Sequence, residues 1–266
     1  MARPPSAAGR EEQSRLLAEC CRLAREAGAA IMTFYRGDMG VRHKDDKSPV
    51  TDADHAAEAI IARGLRQLTP GLPVVAEEEM AGGKEVDVSG GRFWLVDPLD
   101  GTREFIAHRD EFTVNIALVE HGRPVLGVVY APARDLLYAA IGPGTAYRER
   151  DGGPAEPVVA RAMPADGAVA TGSRSHGDTE KMKELLGALH IKEVVVSGSS
   201  IKFCLVAAGE ADIYVRYGPT REWDTAAGHA VLSAAGGSVR TLDGHEMAYG
   251  KPHFLNGEFI ARGRDA

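Results

Sequence analysis

The sequence contains few cysteines, few aromatic residues and no apolar run long enough to cross a membrane. It has 3 cysteines and 6% aromatic residues. Cys20 and Cys21 are adjacent in a helical pattern, so the cysteines form neither a disulfide framework nor a zinc-binding pattern. The first ten residues contain no apolar segment of signal-peptide length. We therefore expect a cytoplasmic protein whose residues 1–10 are disordered, with peripheral attachment to the inner face of the membrane as an alternative location.

The sequence also has no excess of basic residues. The formal net charge is −7 at pH 7, whereas binding to nucleic acid without sequence preference needs a basic surface. We therefore expect no nucleic-acid partner, although an acidic protein can still bind an anion locally. The 266 residues are 44% apolar and 26% charged, which is ordinary for a soluble globular enzyme with a sizeable core.

Two halves can be distinguished along the chain. Residues 142–167 are rich in glycine, proline and acids, so we expect an N-terminal α+β half over residues 11–150 and a C-terminal α/β half over residues 151–266, joined in one catalytic unit. Alternation of strands and helices in the second half indicates a layered arrangement. The predicted helices are Glu11–Tyr35, 52–68, Thr179–Leu189, Ile201–Ala208 and Asp224–Ala235, and the predicted strands are Leu72–Ala76, Phe93–Val96, Phe112–Glu120, Pro124–Tyr130, Leu136–Ile141, Ala168–Thr171, Val194–Ser197 and Asp212–Tyr217.

Residues 93–102 form an apolar run that ends in two aspartates, Asp97 and Asp100. The bulky residues up to Val96 predict a buried strand, and Pro98 is expected to end it because proline cannot donate a hydrogen bond to a neighbouring strand. Carboxylates on a rigid strand end suit Mg²⁺, which prefers oxygen ligands. A plain turn explains the same residues equally well, because aspartate and glycine are common turn formers.

Three other acids lie where a strand or helix begins or ends. Glu77 follows a short strand, Asp224 begins a predicted helix, and Asp54 lies in the first turn of a helix after Thr51. Helix-dipole stabilisation explains Asp54 and Asp224 without any further role, and a charged loop explains Glu77. If Glu77, Asp97, Asp100 and Asp224 converge, however, they cannot all stay ionised without a counter-charge, which two divalent cations would supply.

Two loops of the C-terminal half are rich in groups that bind phosphate. They are Thr171-Gly-Ser-Arg-Ser-His176 and Ser197-Gly-Ser-Ser-Ile-Lys202, and each lies near a predicted helix start, where free amides favour anions. Turn and cap chemistry alone would explain the glycines and serines. It does not explain the cationic residues Arg174, His176 and Lys202.

Taken together, these segments resemble a known family. Asp97-Pro-Leu-Asp-Gly-Thr102, Glu77-Glu78 and Trp223-Asp224 are similar to the signature of the inositol monophosphatase superfamily of metal-dependent, lithium-sensitive phosphatases. Within it, the resemblance is to the CysQ-type 3'(2'),5'-bisphosphate nucleotidases and extends from Lys44 to about Val239. The segments that carry this closer resemblance are Lys44–Asp54, Ser173–His176, Gly198–Cys204 and Gly218–Gly228.

The resemblance implies a fold, a reaction and a set of ligands. The fold would be the α+β layered sandwich, with alternating α/β/α/β/α layers, of inositol monophosphatase and fructose-1,6-bisphosphatase. The reaction would be the Mg²⁺-dependent hydrolysis of 3'-phosphoadenosine 5'-phosphate to AMP and phosphate in sulfur assimilation, with 3'-phosphoadenylyl sulfate as a further substrate and Li⁺ as an inhibitor. One Mg²⁺ would be held by Glu77, Asp97 and the Leu99 carbonyl, a second by Asp97, Asp100 and Asp224, and a weaker third near Glu77.

The resemblance also implies roles in catalysis and substrate binding. Thr102 and Asp54 would together activate the attacking water, with Glu77 as the third catalytic residue. The partner is then a small-molecule nucleotide bound by a monomer or homodimer. The implied substrate-binding residues are Gly101, Thr102, His176, Ser199, Lys202 and Arg216.

Two other functions remain open at this point. An inositol monophosphatase or another sugar-phosphate phosphatase would share the fold and metals while differing in the substrate pocket. A nucleotide sensor that binds without hydrolysis is the alternative outside enzymes. Thr102, Asp54 and the four acids argue against a sensor, because binding alone does not need them.

Overall fold

The computed structural model describes residues 7–43, 49–173, 187 and 189–265. Two long helices are followed by a seven-stranded sheet and then by a five-stranded sheet with two further helices. The architecture is the expected layered α+β arrangement. Among the helices in the described part of the chain, none has the length and apolar character that spanning a bilayer requires.

Helices α1 (Ala7–Tyr35) and α2 (Asp52–Leu68) pack against each other and against the seven-stranded sheet. The N-terminal helix begins at Ala7, earlier than the predicted Glu11. Helix α2 begins after Thr51, whose backbone N–H donates to the Asp54 carboxylate. The buried apolar residues of α1 recur every three or four positions, as the sequence pattern predicts: Leu16, Cys20, Leu23, Ala27 and Ile31.

The seven-stranded sheet has the strand order β3-β4-β5-β6-β7-β8-β9. Strands β3 and β4 are parallel, and all other neighbours are antiparallel. Both faces of its central strands are buried, which explains their apolar composition. The strands are β3 (Val74–Ala76), β4 (Arg92–Asp100), β5 (Thr113–Glu120), β6 (Arg123–Ala131), β7 (Leu136–Ile141), β8 (Tyr147–Arg150) and β9 (Glu156–Pro157), preceded by a separate pair, β1 (Arg42–His43) and β2 (Pro49–Val50).

Two local predictions for this half were wrong. Strand β4 does not end before Pro98 but continues to Asp100, because a register shift between Asp97 and Asp100 accommodates the proline in a bulge. Residues Glu77–Ala81 form a single-turn helix, α3, instead of an extended acidic loop. A second short helix, α4 (Thr102–Ile106), follows β4 directly.

The five-stranded sheet has the order β11-β10-β12-β16-β14. Its strand β10 is parallel to both neighbours, and the pairs that involve β16 are antiparallel. The helix predicted over Thr179–Leu189 falls almost entirely outside the described residues. The remaining elements are β10 (Ala168–Gly172), β11 (Ile191–Val196), α5 (Ile201–Ala207), β12 (Ile213–Arg216), β13 (Thr220–Arg221), α6 (Ala226–Ala234), β14 (Ser238–Thr241), β15 (Leu255–Asn256) and β16 (Phe259–Arg262).

Helix α6, from the C-terminal part of the chain, packs on strands β5, β6 and β7 of the seven-stranded sheet. The small residues on this helix allow a close approach. At the contact, a Cβ atom on Gly127 would lie 2.3 Å from the carbonyl oxygen of Ala227, so strand β6 accepts only glycine there. This packing brings the chain segment just before α6 to the end of the seven-stranded sheet.

Candidate active site

The site lies at the edge where strands β3 and β4 end. These strands are parallel, and Ala76 pairs with Val96, so Glu77 and Asp97 are the next residues along two neighbouring strands. Asp224 reaches the same edge from the segment before α6. Carboxylate oxygens of Glu77, Asp97 and Asp224 all lie within 4.8 Å of one another. The predicted convergence of these three acids is thus present in the fold.

Asp97 is oriented by the bulge in β4. Its Oδ1 accepts a hydrogen bond of 3.0 Å from the backbone N–H of Leu99, and its side chain is buried. The hydrogen bond therefore fixes the orientation of the Asp97 carboxylate. The turn and metal-ligand interpretations of this segment are compatible, because the turn aims the ligand.

Asp224 and Asp100 are held by backbone amides. Arg221 donates its N–H to Oδ2 of Asp224 at 2.9 Å, and the backbone N–H of Ser200 donates to the Asp100 carboxylate. Asp224 precedes helix α6, whose cap is Thr225, so its carboxylate belongs to a turn and not to the regular helix. Each acid therefore has a fixed direction.

Burial and mutual repulsion shift the pKa values of these carboxyls. Burial raises the pKa of Asp97 well above its ordinary value, and Glu77, Asp100, Asp224 and Asp54 raise it further. Burial likewise raises the pKa of Asp224, with Asp100 and Glu77 adding to the effect. The pKa of Asp100 rises to about 6 through burial, although Lys202 and the Ser200 amide oppose the shift. Asp100 therefore belongs electrostatically to the same cluster.

This donor set fits a hard divalent cation. It offers several carboxylate oxygens and no sulfur or imidazole ligand among the described residues of the cluster, which is the chemistry that Mg²⁺ prefers. Burial and then the neighbouring acids raise the pKa values of Asp97 and Asp224, and a bound cation would offset the carboxylate charge. The acidic cluster can thus hold metal.

Asp54 and Thr102 meet beside this cluster. The Thr102 hydroxyl lies 3.4 Å from Oδ1 of Asp54 and 3.3 Å from the Leu99 carbonyl oxygen. The other Asp54 oxygen, Oδ2, accepts hydrogen bonds from the Thr51 backbone N–H at 2.7 Å and from the Thr51 hydroxyl at 2.6 Å. Asp54 is therefore both a helix-capping residue and a partner of Thr102, with one oxygen for each.

A cleft of about 250 Å³ opens over the cluster. Gly101, with φ +95°, lines the cleft, and an added Cβ there would contact the Glu111 carbonyl oxygen at 3.2 Å and the Ser199 side chain at 3.4 Å. Asp54, Asp97 and Leu99 are buried beside the cleft. His176 lies outside the described residues, as do Arg174 and Lys44. The predicted site residues that line the cleft are Glu77, Asp100, Gly101, Thr102, Ser199, Lys202, Arg216 and Asp224.

Lys202 is buried at the cleft wall. Its Nζ donates to the backbone carbonyls of Ser197 at 3.2 Å and Ser199 at 2.5 Å, and it lies 5.3 Å from the centre of the Tyr214 ring. Burial lowers the pKa of Lys202 to about 8, although Asp100 opposes the shift. Lys202 therefore orders the 197–200 loop as well as supplying a cation to the cleft.

Sequence reasoning missed several residues that line the cleft, among them Ser200, Tyr214 and Glu104. Ser200 bridges to the Thr113 hydroxyl at 2.8 Å and to Asn115 at 2.7 Å, in addition to its amide contact with Asp100. Tyr214 and Glu104 line the cleft. Ser200 could have been found because it belongs to the phosphate-binding loop predicted over Ser197–Lys202. Tyr214 could not, because in the sequence it is indistinguishable from a core aromatic residue.

Comparisons with known proteins identify the family. A model of the "Inositol monophosphatase family" matches residues 12–263. The chain belongs to the inositol monophosphatase family. The fold class and the family resemblance predicted from the sequence are thus confirmed, and members of this family are metal-dependent, in agreement with the acidic cluster.

The chain is similar in sequence and structure to individual members of the inositol monophosphatase family. The Escherichia coli K12 protein named 3'(2'),5'-bisphosphate nucleotidase CysQ is 50% identical over 247 residues, which is 92% of this chain and 98% of that protein. The crystal structure of CysQ from Bacteroides thetaiotaomicron is 37% identical with a TM-score of 0.80, covering 96% of this chain and 98% of that one. An IMPase from Thermotoga maritima is 27% identical with a TM-score of 0.74, covering 94% and 92% of the two chains.

Proposed function

We propose that this protein is a Mg²⁺-dependent phosphatase that hydrolyses the 3'-phosphate of 3'-phosphoadenosine 5'-phosphate, and of its sulfated precursor, to release phosphate. The observation that carries the proposal is that one cleft combines the acidic cluster with cationic side chains, among them Lys202 and Arg216. A cluster of carboxylates alone would suit any phosphomonoester. The additional cations favour a substrate that carries a second phosphate.

The acidic residues divide into two proposed metal sites. Glu77, Asp97 and the Leu99 carbonyl would hold one Mg²⁺, and Asp97 would share the second with Asp100 and Asp224. A third, weaker ion would lie near Glu77, and we expect Li⁺ to inhibit by competing for one of these sites. When bound, divalent cations offset the carboxylate charge, polarise the phosphoryl group and lower the pKa of a water molecule.

Thr102 and Asp54 supply the path for the proton of the attacking water. A threonine hydroxyl alone is too weak a base, but the Thr102 hydroxyl lies 3.4 Å from Oδ1 of Asp54. As the water attacks phosphorus, its proton passes to Thr102 Oγ1 while the Thr102 proton passes to Asp54. The new bond joins the water oxygen to phosphorus, and the bond that breaks joins phosphorus to the 3'-oxygen. The 3'-oxygen takes a proton from a second water molecule and leaves as the 3'-hydroxyl of AMP, and Asp54 returns its proton to solvent.

The remaining residues of the cleft bind the substrate. The backbone amides of Gly101 and Thr102 would donate to the transferred phosphate, since Gly101 precedes the first turn of helix α4. Lys202, Arg216 and Ser199 would contact the 5'-phosphate and ribose. Among the residues that the structure describes, the buried Nε atom of Arg216 has no hydrogen-bond partner, so this guanidinium has a donor that a substrate phosphate could satisfy. His176 is proposed as a further substrate contact on the basis of the family resemblance alone.

A substrate panel tests the proposal. We expect Mg²⁺-dependent release of phosphate from 3'-phosphoadenosine 5'-phosphate, with kcat/KM far above that for inositol 1-phosphate or AMP. Addition of EDTA should abolish turnover and excess Mg²⁺ should restore it. A preference for inositol 1-phosphate would refute the proposed substrate. Binding of the bisphosphate with no phosphate release in saturating Mg²⁺ would refute the proposed reaction.

A further inference from the structure

Glu58 is a buried carboxylate that has no role in the proposed reaction. It lies on α2 one helical turn after Asp54, so both side chains extend from the same face of the helix. Only 6% of Glu58 is exposed. Ile61 and Leu65 continue this face into the core with no exposure at all, so α2 is firmly anchored where it carries Glu58.

The carboxylate of Glu58 binds the start of helix α3. Its Oε2 accepts the backbone N–H of Glu78 at 2.6 Å, and its Oε1 accepts that of Glu79 at 2.9 Å. These are the second and third residues of α3, whose amides are usually satisfied by the residue that precedes a helix. Here that residue is Ala76, which has no side-chain acceptor. Glu58 therefore caps α3 from a distant part of the sequence.

A carboxylate is an unfavourable choice for a cap at this position if stability alone is considered. The first turn of α3 already contains Glu77, Glu78 and Glu79, and Glu58 adds a fourth acid beside them. A serine or threonine at position 76 would satisfy the same amides without that repulsion. Departures from the usual choice of helix-capping residue occur mainly at functional sites.

The residue that α3 begins with is Glu77, a member of the acidic cluster. We infer that Glu58 is a positioning residue that fixes Glu77 relative to Asp54 and Asp97 and thereby tightens the binding of the divalent cation. Helix α2 sets the spacing from Asp54 to Glu58, and the two hydrogen bonds set the spacing from Glu58 to the first turn of α3. This inference rests on the proposed metal-binding role of Glu77.

Substitution of Glu58 by glutamine tests the inference. The glutamine keeps one acceptor oxygen but places an NH₂ group against an amide N–H, so one of the two bonds is lost. By calorimetric titration with Mg²⁺ alone, we expect E58Q to bind about 10- to 100-fold more weakly than the unmodified protein, as is typical when partners of metal ligands are removed. In turnover assays, half-maximal activity should need correspondingly more Mg²⁺, while kcat at saturating Mg²⁺ recovers. A variant that was only misfolded would not regain its kcat at saturating Mg²⁺.

Glu79 provides a matched control. Its carboxylate lies on the same short helix and also links α3 to α2, through Arg66 at 2.6 and 2.7 Å, but does so at the protein surface. E79Q should therefore keep the Mg²⁺ affinity of the unmodified protein. Equal weakening in E79Q and E58Q would show that any link between α2 and α3 suffices, and would overturn the specific role of Glu58.

Two further measurements separate failure of this inference from failure of the metal site. If D97N abolishes Mg²⁺ binding while E58Q binds normally, the metal site stands and the role of Glu58 is refuted. If neither variant changes Mg²⁺ binding, the metal site itself is wrong and the inference fails with it. Should E58Q not fold, hydrogen exchange on the unmodified protein without Mg²⁺ decides: the amides of Glu78 and Glu79 should be protected, and exchange as fast as free surface amides would overturn the inference.

Discussion

The Thr102 hydroxyl lies between Oδ1 of Asp54, at 3.4 Å, and the carbonyl oxygen of Leu99, at 3.3 Å. Both distances are at the long end for a hydroxyl donor, so the hydroxyl can turn from one acceptor to the other. Asp54 belongs to helix α2 and Leu99 to strand β4. Thr102 thus lies where these two elements meet, beside the acidic cluster.

Replacement of Thr102 by valine should abolish most of the activity without loss of metal. Valine has nearly the same shape as threonine but cannot relay a proton, so we expect kcat to fall by about 10²- to 10⁴-fold, the usual contribution of general acid–base catalysis. Mg²⁺ affinity, measured by calorimetry, should stay close to that of the unmodified protein. Thr102→Ser retains the hydroxyl and should keep substantial activity. An active T102V enzyme would remove Thr102 from the proton path.

Asp97→Asn should prevent metal binding and abolish activity while stabilising the metal-free fold. The pKa of Asp97 is higher in the folded protein than its unfolded value of about 4. The protonated Asp97 carboxyl therefore contributes fully to the stability of the fold below about pH 4, and this stability is lost as the pH rises through the folded pKa. In EDTA, the Tm advantage of D97N over the unmodified protein should therefore increase from pH 5 to pH 8. Unfolding of D97N, or a Tm difference that does not depend on pH, would contradict this account.

Lys202→Ala should discriminate between substrates with one and two phosphates. Loss of a charge-assisted hydrogen bond costs about 1.5–3 kcal/mol, so KM for 3'-phosphoadenosine 5'-phosphate should rise about 10-fold or more, with a much smaller effect on adenosine 3'-monophosphate. Because Lys202 also donates to the carbonyls of Ser197 and Ser199, an equal rise in both KM values would indicate that its role is to order the loop. Lys192→Ala, at an exposed lysine, serves as the control.

Gly127→Ala should destabilise the protein because the new methyl group would lie 2.3 Å from the Ala227 carbonyl oxygen. Overpacking of this kind costs about 1–3 kcal/mol, which chemical denaturation can measure. Helix α6 must shift to make room, and Asp224 lies just before it, so Mg²⁺ affinity should fall as well. Gly257→Ala places its methyl group where, apart from its two chain neighbours, none of the described residues has an atom within 4 Å, and it should leave both quantities unchanged. Normal stability of G127A would show that α6 is not closely packed there.

Several features of the fold could be predicted because they depend on local patterns. The buried face of α1, strand β7 and the antiparallel strands β5 and β6 follow from apolar periodicity, which neighbours in sequence determine. The single-turn helix at Glu77 could not be predicted, because five residues are too few to form a helix on local propensity alone and Ala76 provides no side-chain cap. Its N–H groups are satisfied by Glu58, twenty residues away in sequence.

The candidate site shows the same contrast between features that depend on local sequence and features that depend on the fold. The sequence by itself determined which residue types are available: acids at the ends of strands, a threonine after a glycine turn, and cations in two loops. Only the tertiary structure decided that Glu77, Asp97 and Asp224 share one cluster, because Asp224 reaches it through the packing of α6 on strand β6. Likewise, only the fold gives Asp54 two roles and Lys202 its two backbone contacts. The physical reason is that chemical character is a property of each residue, whereas convergence depends on packing between segments far apart in the chain.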